Sequence, residues 1–467
     1  MTHTASDVST SQPGESAPPM VRVVVINFDG GPITLRCLDS LLATDYPADR
    51  LEIVVVDNAS VDGLLWVIRD EYPTVRLIVS DVNEGFARGC NLAMRDLDGV
   101  DYLALINNDA IVGPNWLHPL LESCSPDGVG AAVPKLLLNL ETGIVLLEGP
   151  VDGSVRGTDG PCAVGVGVTS VRYGGRELID RLRFDERFWG DWEITVESRR
   201  AKWAKRSTAS FWWPIEMIAT GETVEVDLCL PPGAPSGEWY VGDGSTRQRV
   251  DFVDGGATVH VTNHVPRRII NSAGSELYAG WAGGDRGFLQ PDLGQFDTPA
   301  EVFAWCGGAV VLKADYLRAV GIFDPQYFLY YEDFDLSWRG RSQGWRYVYD
   351  PRATVLHEHA YSSREGSDFF KFWVDRNRRL TLIKNAPARV ALRAVLGTFG
   401  QFLEEGRAHV LGQARRRRPP SPRWCWHRVR GLWRVVSAMP AAWLERRRLA
   451  RRRVVGDREI AAWLVTK

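Results

Sequence analysis

The chain has 467 residues, of which 45% are hydrophobic, and a formal net charge of -3. This length exceeds one simple core, so two or more domains are expected. No window of 18 residues is free of charge, and the N-terminus lacks a basic-then-apolar signal pattern. We therefore expect a cytoplasmic protein without a spanning helix. The seven cysteines form no close pairs, which argues against both a disulfide framework and a thiolate zinc site.

The positive charge is concentrated in the C-terminal tail. Residues 388–467 contain 19 Lys or Arg and 5 Asp or Glu, a net charge of +14, which leaves -17 on residues 1–387. Arginine runs interleaved with tryptophan are typical of amphipathic helices at an anionic membrane surface, so we predict peripheral binding to the inner face of the cell membrane. A nucleic-acid arm has similar arginines, but no recognition module accompanies these, so no nucleic acid is expected. A solvated helical extension is the third alternative.

Residues 21–140 follow an alternating strand and helix pattern. Residues 1–20, rich in Ser, Thr and Pro, are expected to form a disordered leader. The apolar runs VRVVVINF, LEIVVVDNAS, VRLIVS and DYLALINND come next, with segments of helical spacing between them. Continuous apolar strands that alternate with helices predict an α/β fold with a doubly wound, mostly parallel sheet.

The pattern changes over residues 141–266. Short segments such as TVEVDLCL and TVHVTN alternate apolar with polar residues between Gly, Pro and Asp turns. This predicts an inserted antiparallel β-sandwich-like domain. Its tryptophans fit either a sugar-stacking platform or a core, and their alternation favours the core; docking of another protein is a further alternative. The α/β pattern resumes over 267–387, before the basic helical tail.

Polar side chains follow all four N-terminal strands. Asn27, Asp57, Asn83 and Asp109 lie where these strands end, and ligands of doubly wound sheets bind beyond the carboxyl ends of the strands. One such residue alone is typical of a loop or helix cap, but four together predict a ligand site. The first turn, NFDGGPITL, lacks the G-x-G-x-x-G pattern of dinucleotide-binding dehydrogenases.

Seven segments in order resemble the motif series of the family 2 glycosyltransferases. They are VVVINFDGG, VVVDNASVDG, NEGFARGCN, ALINNDAIV, CGGAVVL, YYEDFDLSWR and VLHEH, and they fall within 21–140 and 267–387. The resemblance is to inverting enzymes of the GT-A nucleotide-sugar fold, in the rhamnosyltransferase-like and galactofuranosyltransferase-like subgroup of bacterial cell-envelope polysaccharide synthesis. It implies a metal-dependent hexosyltransferase that uses a nucleotide-sugar donor and a lipid-linked or cell-envelope glycan acceptor.

The resemblance also implies roles for individual residues. Asp109 would bind a divalent cation, Mg²⁺ or Mn²⁺, that bridges the donor diphosphate, and His357 would complete the coordination, with His359 as the competing ligand. Asn107 stands where the family's Asp-X-Asp motif has its first Asp, which leaves fewer anionic ligands. Asp333 would be the base that deprotonates the acceptor, and Glu332 would orient substrate. An acidic helix N-terminus is the simpler explanation of these two carboxylates.

A further set of residues is expected to contact the nucleotide sugar. The set is Asn27, Asp57, Asn83, Gly85, Arg88, Asn91, Asn108, Gly307, Gly308 and Arg376. Gly85, Arg88 and Asn91 open a helix where phosphate is favoured, and Arg376 either contacts the diphosphate or lies on a solvated helix face. Two other functions stay open: a non-catalytic glycan- or nucleotide-binding protein, and a nucleotidyltransferase. The motifs encode neither the donor sugar, the acceptor and linkage, nor the oligomeric state.

Overall fold

A computed structural model of the chain describes residues 17–157, 160–185, 187–189, 195–196, 199–231, 237–358, 367–415 and 422–465. Most of the predicted leader, residues 1–16, lies outside the described residues. The helices are α1 (Pro32–Leu42), α2 (Leu64–Glu71), α3 (Gly85–Met94), α4 (Leu117–Cys124), α5 (Ala314–Val320), α6 (Glu332–Ser342), α7 (Asp368–Asn385), α8 (Ala388–Arg415), α9 (Pro422–Val436), α10 (Met439–Arg452) and α11 (Asp457–Ala461).

The strands are numbered in chain order in the same way. They are β1 (Val21–Asn27), β2 (Leu51–Asn58), β3 (Arg76–Ser80), β4 (Tyr102–Asn107), β5 (Ala110–Val112), β6 (Val129–Leu138), β7 (Thr142–Glu148), β8 (Gly153–Gly157), β9 (Gly160–Val164), β10 (Gly167–Tyr173), β11 (Arg176–Glu177), β12 (Arg183–Phe184), β13 (Thr195–Val196), β14 (Arg199–Arg200), β15 (Lys202–Trp203), β16 (Thr208–Pro214), β17 (Thr223–Cys229), β18 (Trp239–Gly242), β19 (Gln248–Val250), β20 (Gly256–Thr262), β21 (Ile270–Ser272), β22 (Ser275–Tyr278), β23 (Ala282–Asp285), β24 (Ala300–Glu301), β25 (Ala309–Lys313), β26 (Arg346–His357) and β27 (Leu464–Val465).

The central sheet has the strand order β24-β26-β6-β25-β4-β1-β2-β3. Strands β1 to β4 pair in parallel, β25 runs antiparallel between β4 and β6, and β26 is parallel to β6. Two short strands extend the sheet, since β21 pairs with β6 and β5 pairs with β26. The predicted α/β fold is confirmed, with parallel pairing from β1 to β4 and mixed parallel and antiparallel pairing on the other side of β4.

Both faces of this sheet are buried, which explains the continuous apolar runs. Val24 and Val56 point into one core, which helices α3 and α5 cover. Val23 and Val25, the two residues on either side of Val24 in the sequence, point into a second core under α1, α2 and α4. Alternate residues of each strand therefore supply both cores, and the strand ends are left to carry polar side chains.

Strands β7 to β20 include two five-stranded antiparallel sheets that share one core. One has the order β11-β10-β17-β20 with β15 beside β10, and the other has the order β12-β16-β7-β18-β19. The aromatic side chains Phe211, Trp213 and Trp239 are buried in the shared core. Burial of these tryptophans supports a structural role rather than a sugar-stacking platform. The antiparallel domain predicted in the fold is confirmed, and its boundaries at 141 and 266 stay a prediction.

The C-terminal tail is helical and packs on the rest of the chain. Helices α8 and α10 both pack on α7, and the Arg446 Nη1 donates to the carbonyl oxygens of Ile383 at 3.0 Å and Ala386 at 2.7 Å. After α11 the chain adds β27 in parallel to β22. Within the described part of the chain, each helix is too short or too polar to cross a membrane.

Candidate active site

Asp109 and His357 meet at one edge of the central sheet. Asp109 lies in the turn between β4 and β5, and β26 pairs with β5 so that His357 is opposite Ala110. The main-chain N–H of Glu358 donates to the Asp109 carbonyl at 2.9 Å, and the His357 Nε2 lies 2.9 Å from the Asp109 Oδ1. Strand pairing thus brings together two residues that are distant in the sequence, and both are buried.

Neighbouring amides fix the orientation of the His357 ring. The Nδ1 atom lies 2.6 Å from the Asn271 Oδ1, an oxygen that accepts from an imidazole N–H, and this contact leaves Nε2 directed at Asp109. The Asn107 Nδ2 is 3.2 Å from the same Nε2. Asn107, at the first position of the Asn-Asn-Asp triplet, therefore contacts the histidine that the resemblance assigns to the metal.

The side chains at this edge fit a divalent cation. A carboxylate oxygen and an imidazole nitrogen face each other, and the Asn271 amide orients the imidazole from its other nitrogen, as is common for metal-binding histidines. In the described ranges no cluster of three His, Cys, Asp or Glu side chains would hold a cation alone. Asp109 and His357 therefore offer two ligands, and further oxygens would have to come from a bound ligand. The competing His359 lies outside the described residues.

Asp333 lies in the first turn of α6, which begins after two residues with strained backbone. Tyr330 and Tyr331 have φ angles of 70° and 71°, a region that bulky residues rarely adopt. The Asn377 Nδ2 donates to the carbonyl oxygens of Leu329 at 2.9 Å and Tyr330 at 2.8 Å, which holds this turn. The backbone is thus forced into a shape that presents Asp333 at the helix start.

Main-chain donors orient the Asp333 carboxylate. Its Oδ2 accepts from the Gly307 N–H at 2.8 Å, and its Oδ1 accepts from the Phe334 N–H at 2.7 Å. Burial raises the pKa of Asp333, although its side chain still reaches solvent. A fixed, partly exposed carboxylate with a raised pKa has the properties of a general base.

Glu332 lies in the interior instead of the cleft. It is 5% exposed, and its Oε2 has no hydrogen-bond partner in the described part of the chain. Burial, and then the negative charge of Asp333, raise the pKa of Glu332 well above its usual range. This location differs from the predicted role in orienting substrate, since the carboxyl group is sealed from solvent.

The turn at Cys306, Gly307 and Gly308 connects the base to the histidine cluster. The Gly307 N–H binds Asp333, and the Gly308 carbonyl accepts from the Asn107 N–H at 3.0 Å. A Cβ atom at Gly308 would lie 2.9 Å from the Leu136 Cδ2, closer than a side chain tolerates. The two predicted glycines therefore lie between the base and Asn107, as a narrow wall of the cleft.

Three predicted nucleotide ligands contact one another at the ends of β1, β2 and β4. The Asn27 Nδ2 donates to the Asp57 Oδ1 at 3.0 Å, and the Asn108 Nδ2 donates to the Asn27 Oδ1 at 3.4 Å. The hydroxyl group of Thr34, in α1, donates to the same Asn27 oxygen at 2.9 Å. These side chains form one polar cluster at the carboxyl ends of the parallel strands, where ligands of such sheets bind.

Asn83 and Gly85 form the neighbouring turn before α3. The Asn58 Nδ2 donates to the Asn83 Oδ1 at 3.1 Å, and the same Asn83 oxygen accepts from the Gly85 N–H at 2.9 Å. Gly85 has a φ of 74°, and a Cβ atom there would lie 2.3 Å from the Phe328 carbonyl oxygen. Glycine is thus required by the close approach of the chain that leads to Asp333, and its predicted closeness to a phosphate group stays a prediction.

Arg88, Asn91 and Arg376 contact the segment before α6. The Arg88 Nε donates to the Pro325 carbonyl at 2.8 Å, and the Arg376 Nη1 donates to the Gln326 carbonyl at 3.1 Å. Both amide atoms of Asn91 are bonded to the main chain of Phe323. These polar groups hold the segment that leads to Asp333, and their predicted nucleotide and diphosphate contacts stay a prediction.

The sequence analysis did not single out Asn271, Thr34 or Asp285, which belong to the same region. Asn271 orients His357, Thr34 binds Asn27, and Asp285 lies near Asp333 and Cys306. Asp285 is in the segment GGDRGF and Asn271 in RRIINS. Neither segment contains a recognisable motif or a regular spacing of polar residues. Only the fold reveals these three.

Comparison with known proteins gives relatives for most of the chain. The profile described as Glycosyl transferase family 2 matches residues 22–139. The N-acetylglucosaminyl-diphospho-decaprenol L-rhamnosyltransferase of Mycobacterium tuberculosis is 43% identical over 343 residues, which cover 73% of this chain and 76% of that relative. Glycosyltransferase AglE of Haloferax volcanii is 26% identical over 114 residues, 24% of this chain. That match spans 37% of the length of AglE.

Solved structures show a more distant likeness. GalNAc-T7 with UDP, GalNAc and Mn²⁺ has a TM-score of 0.42 and 14% identity, with 79% of this chain and 48% of that chain covered. The mannosyltransferase PcManGT from Pyrobaculum calidifontis, with GDP-Man and Mn²⁺, has a TM-score of 0.38 and 13% identity, with 93% and 90% covered. The profile match and the 43% identity over three quarters of the mycobacterial relative establish the family. The chain belongs to glycosyl transferase family 2.

Proposed function

We propose that the protein is an inverting glycosyltransferase that moves a sugar from a nucleotide-sugar donor to a lipid-linked glycan. The observation that carries the proposal is the contact between Asp109 and His357. The turn at Gly307 and Gly308 links this contact to Asp333, because Gly307 binds Asp333 and Gly308 binds Asn107. The name of the mycobacterial relative suggests an L-rhamnosyl donor and N-acetylglucosaminyl-diphospho-decaprenol as acceptor. Synthesis of a cell-envelope polysaccharide is the process that such an acceptor implies.

Asp333 acts as the general base of this reaction. Its carboxylate removes the proton from the acceptor hydroxyl group while that oxygen attacks the anomeric carbon. The new bond to the acceptor oxygen forms as the bond to the donor diphosphate breaks on the opposite side, which inverts the anomeric centre. The main-chain N–H groups of Gly307 and Phe334 keep the carboxylate in this orientation.

Asp109 and His357 would hold a Mg²⁺ or Mn²⁺ ion at the donor diphosphate. The positive charge of that ion would stabilise the leaving nucleoside diphosphate. Asn271 supports the site by keeping the Nε2 atom of His357 turned towards Asp109. Since Asn107 replaces one carboxylate, the two ligands supply a weak site that the donor diphosphate completes.

The polar cluster at the strand ends receives the nucleoside of the donor. Asp57 and Asn27 are buried and hold each other, and Asn108 joins them from the triplet that also contains Asp109. Asn83 closes the cluster on the side of β3. The nucleoside would thus lie beside the cation site, with its diphosphate directed at Asp109.

The tail offers a surface for the membrane in which a lipid-linked acceptor resides. Leu392, Leu396, Phe399, Leu403 and Val410 recur at helical spacing along α8 and are 42% to 68% exposed, so they form one apolar stripe. On α9, two tryptophan side chains at helical spacing, Trp426 and Trp433, are 64% and 68% exposed. Exposed apolar stripes bordered by arginine suit an anionic bilayer surface. We place the protein at the cytoplasmic face of the membrane through this surface.

The experiment is a panel of dTDP-, UDP- and GDP-sugars, including dTDP-L-rhamnose, with N-acetylglucosaminyl-diphospho-decaprenol as acceptor. Transfer is measured with Mn²⁺, with Mg²⁺ and with a chelator, for the wild type and for Asp333→Asn. Metal-dependent transfer with an inverted linkage, lost in Asp333→Asn, is the expected result. Nucleotide binding without transfer or donor hydrolysis for any donor would favour the non-catalytic binding protein instead.

A further inference from the structure

The hairpin of β22 and β23 packs against the start of α6, where the base lies. Ser275 on β22 pairs with Asp285 on β23, and the Tyr331 hydroxyl group donates to the Gly283 carbonyl at 3.3 Å. A Cβ atom at Gly283 would lie 2.5 Å from the Phe334 ring, so glycine allows this close packing. Burial raises the pKa of Asp285, and the hairpin brings Asp285 near enough to Asp333 for the negative charge of Asp333 to raise that pKa further.

Asp285 is linked to Asp333 through the turn at Cys306. The Asp285 Oδ1 lies 3.4 Å from the Ser275 Oγ, and burial, followed by the negative charge of Asp285, raises the pKa of the Cys306 thiol. The next residue after Cys306 is Gly307, whose N–H holds Asp333. The residues beside the two carboxyl groups are thus consecutive in the chain.

The environment of Asp285 disfavours its charge. Burial raises the pKa of Asp285 to about 6, with a contribution from the negative charge of Asp333. The Ser275 hydroxyl group and the Cys306 thiol lie beside it, and neither supplies a positive charge. A carboxylate in such surroundings destabilises the folded protein, because its charge is poorly solvated.

Asp285 differs from Glu332 in one decisive respect. Glu332 is sealed in the interior, whereas Asp285, Cys306 and Asp333 each retain partial exposure to solvent. Two partly exposed aspartates therefore lie beside the same turn, Cys306 and Gly307. A sugar presents neighbouring hydroxyl groups, and carboxylates accept strong hydrogen bonds from hydroxyl groups.

We propose that Asp285 binds the acceptor sugar, by accepting a hydrogen bond from a hydroxyl group that neighbours the attacking one. This rests on the proposed glycosyl transfer, in which Asp333 deprotonates the attacking hydroxyl group. Asp285 and Asp333 then recognise two hydroxyl groups of one sugar ring, so the pair selects which hydroxyl group is glycosylated. Since the hydrogen bond is made before and during the reaction, it contributes to acceptor affinity more than to turnover.

The test compares Asp285→Asn with wild type, with N-acetylglucosaminyl-diphospho-decaprenol and dTDP-L-rhamnose as substrates. The variant should raise the KM for the acceptor by about 10- to 100-fold, the value of a hydrogen bond to a charged group. Donor hydrolysis by water and the KM for the donor should stay within about twofold of wild type, because neither involves the acceptor. Glu276→Gln is the matched control, since Glu276 lies on the same hairpin and pairs with Arg286 at 3.7 Å; its acceptor KM should not change.

Acceptor analogues that each lack one sugar hydroxyl group give a second measurement, which does not need a stable variant. With the wild-type enzyme, the analogue that lacks the attacking hydroxyl group should be inert. The analogue that lacks the neighbouring hydroxyl group should show the raised KM that Asp285→Asn shows with the parent acceptor. That analogue should lose no further affinity when it is tested with Asp285→Asn. An unchanged acceptor KM in Asp285→Asn, an equal fall in transfer and donor hydrolysis, or deoxy analogues that all bind as the parent would overturn the assignment. Absence of both transfer and hydrolysis in the wild type would instead contradict the proposed function.

Discussion

The substitution Asp333→Asn separates the chemical role of this carboxylate from its structural role. The wild-type carboxylate accepts one hydrogen bond at each oxygen, from Gly307 at 2.8 Å and from Phe334 at 2.7 Å. An asparagine amide has a single oxygen, so one of these two main-chain N–H groups would face an NH₂ group. Loss of one acceptor for a buried donor costs about 1 to 3 kcal/mol. Removal of the base lowers turnover by about 10²- to 10⁴-fold.

The assay measures both effects on the same preparation. Thermal unfolding reports the stability loss, and transfer at saturating substrates reports turnover. Binding of the nucleotide-sugar donor should remain within about threefold of wild type, since Asp333 removes a proton from the acceptor and does not contact the nucleotide. The reasoning is refuted if Asp333→Asn is folded, binds the donor and transfers sugar at a rate within about tenfold of the wild type.

Three further outcomes follow from other parts of the structure. Asp335, two residues from the base, is buried and ion-paired to Arg339 and Lys384. Asp335→Ala should therefore lower the free energy of unfolding, measured by denaturant titration, by about 3 to 5 kcal/mol. A folded variant with an unchanged midpoint would contradict this. The double variant Leu396→Ser/Leu403→Ser should no longer sediment with anionic vesicles but should still glycosylate a detergent-solubilised acceptor. Val253 is 74% exposed on another surface, and the control variant Val253→Ser should bind vesicles as the wild type does. Asp333 must be ionised to act as the base, and burial raises its pKa, so kcat/KM should fall as the pH drops through that raised pKa. If kcat/KM fell only at or below about pH 4, the pKa of an unperturbed aspartate, Asp333 would not be the base.

The strands of the central sheet and the pair Asp109 and His357 could be predicted from the sequence, because each has a local signal. Apolar runs such as VRVVVINF can be buried only in a sheet covered on both faces. The motifs NNDAIV and VLHEH predict Asp109 and His357 as partners, and the structure brings their side chains to 2.9 Å. Their role in metal binding is a proposal that this contact supports.

The direction of several side chains was not accessible from the sequence. Arg88 and Asn91 lie on the predicted helix, but their partners are main-chain atoms of residues 323–325, more than two hundred positions later. A spacing rule places such a residue on a helix face and says nothing about which loop covers that face. Asp285 had no local signal at all, because a four-residue strand places it in the cleft.

The tail shows the same limit of local patterns. Its arginine runs and tryptophans predict amphipathic helices, and helices α8 to α11 are present. The two-residue strand β27, in contrast, is defined only by its pairing with β22. Trp463, just before this strand, packs on Phe303 and lies over the Arg341 guanidinium group. The tail therefore packs against the hairpin of β22 and β23, which its composition does not reveal.

The central claim is that Asp109 and His357 hold a divalent cation at the donor diphosphate beside Asp333. The most direct test is titration of Mn²⁺ into the protein saturated with dTDP, followed by electron paramagnetic resonance, for wild type, Asp109→Asn and His357→Ala. The account predicts one bound Mn²⁺ in the wild type, affinity weakened by about tenfold or more in each variant, and a matching loss of transfer activity. Equal Mn²⁺ affinity in all three proteins, or full transfer activity in the wild type with excess chelator, would contradict it.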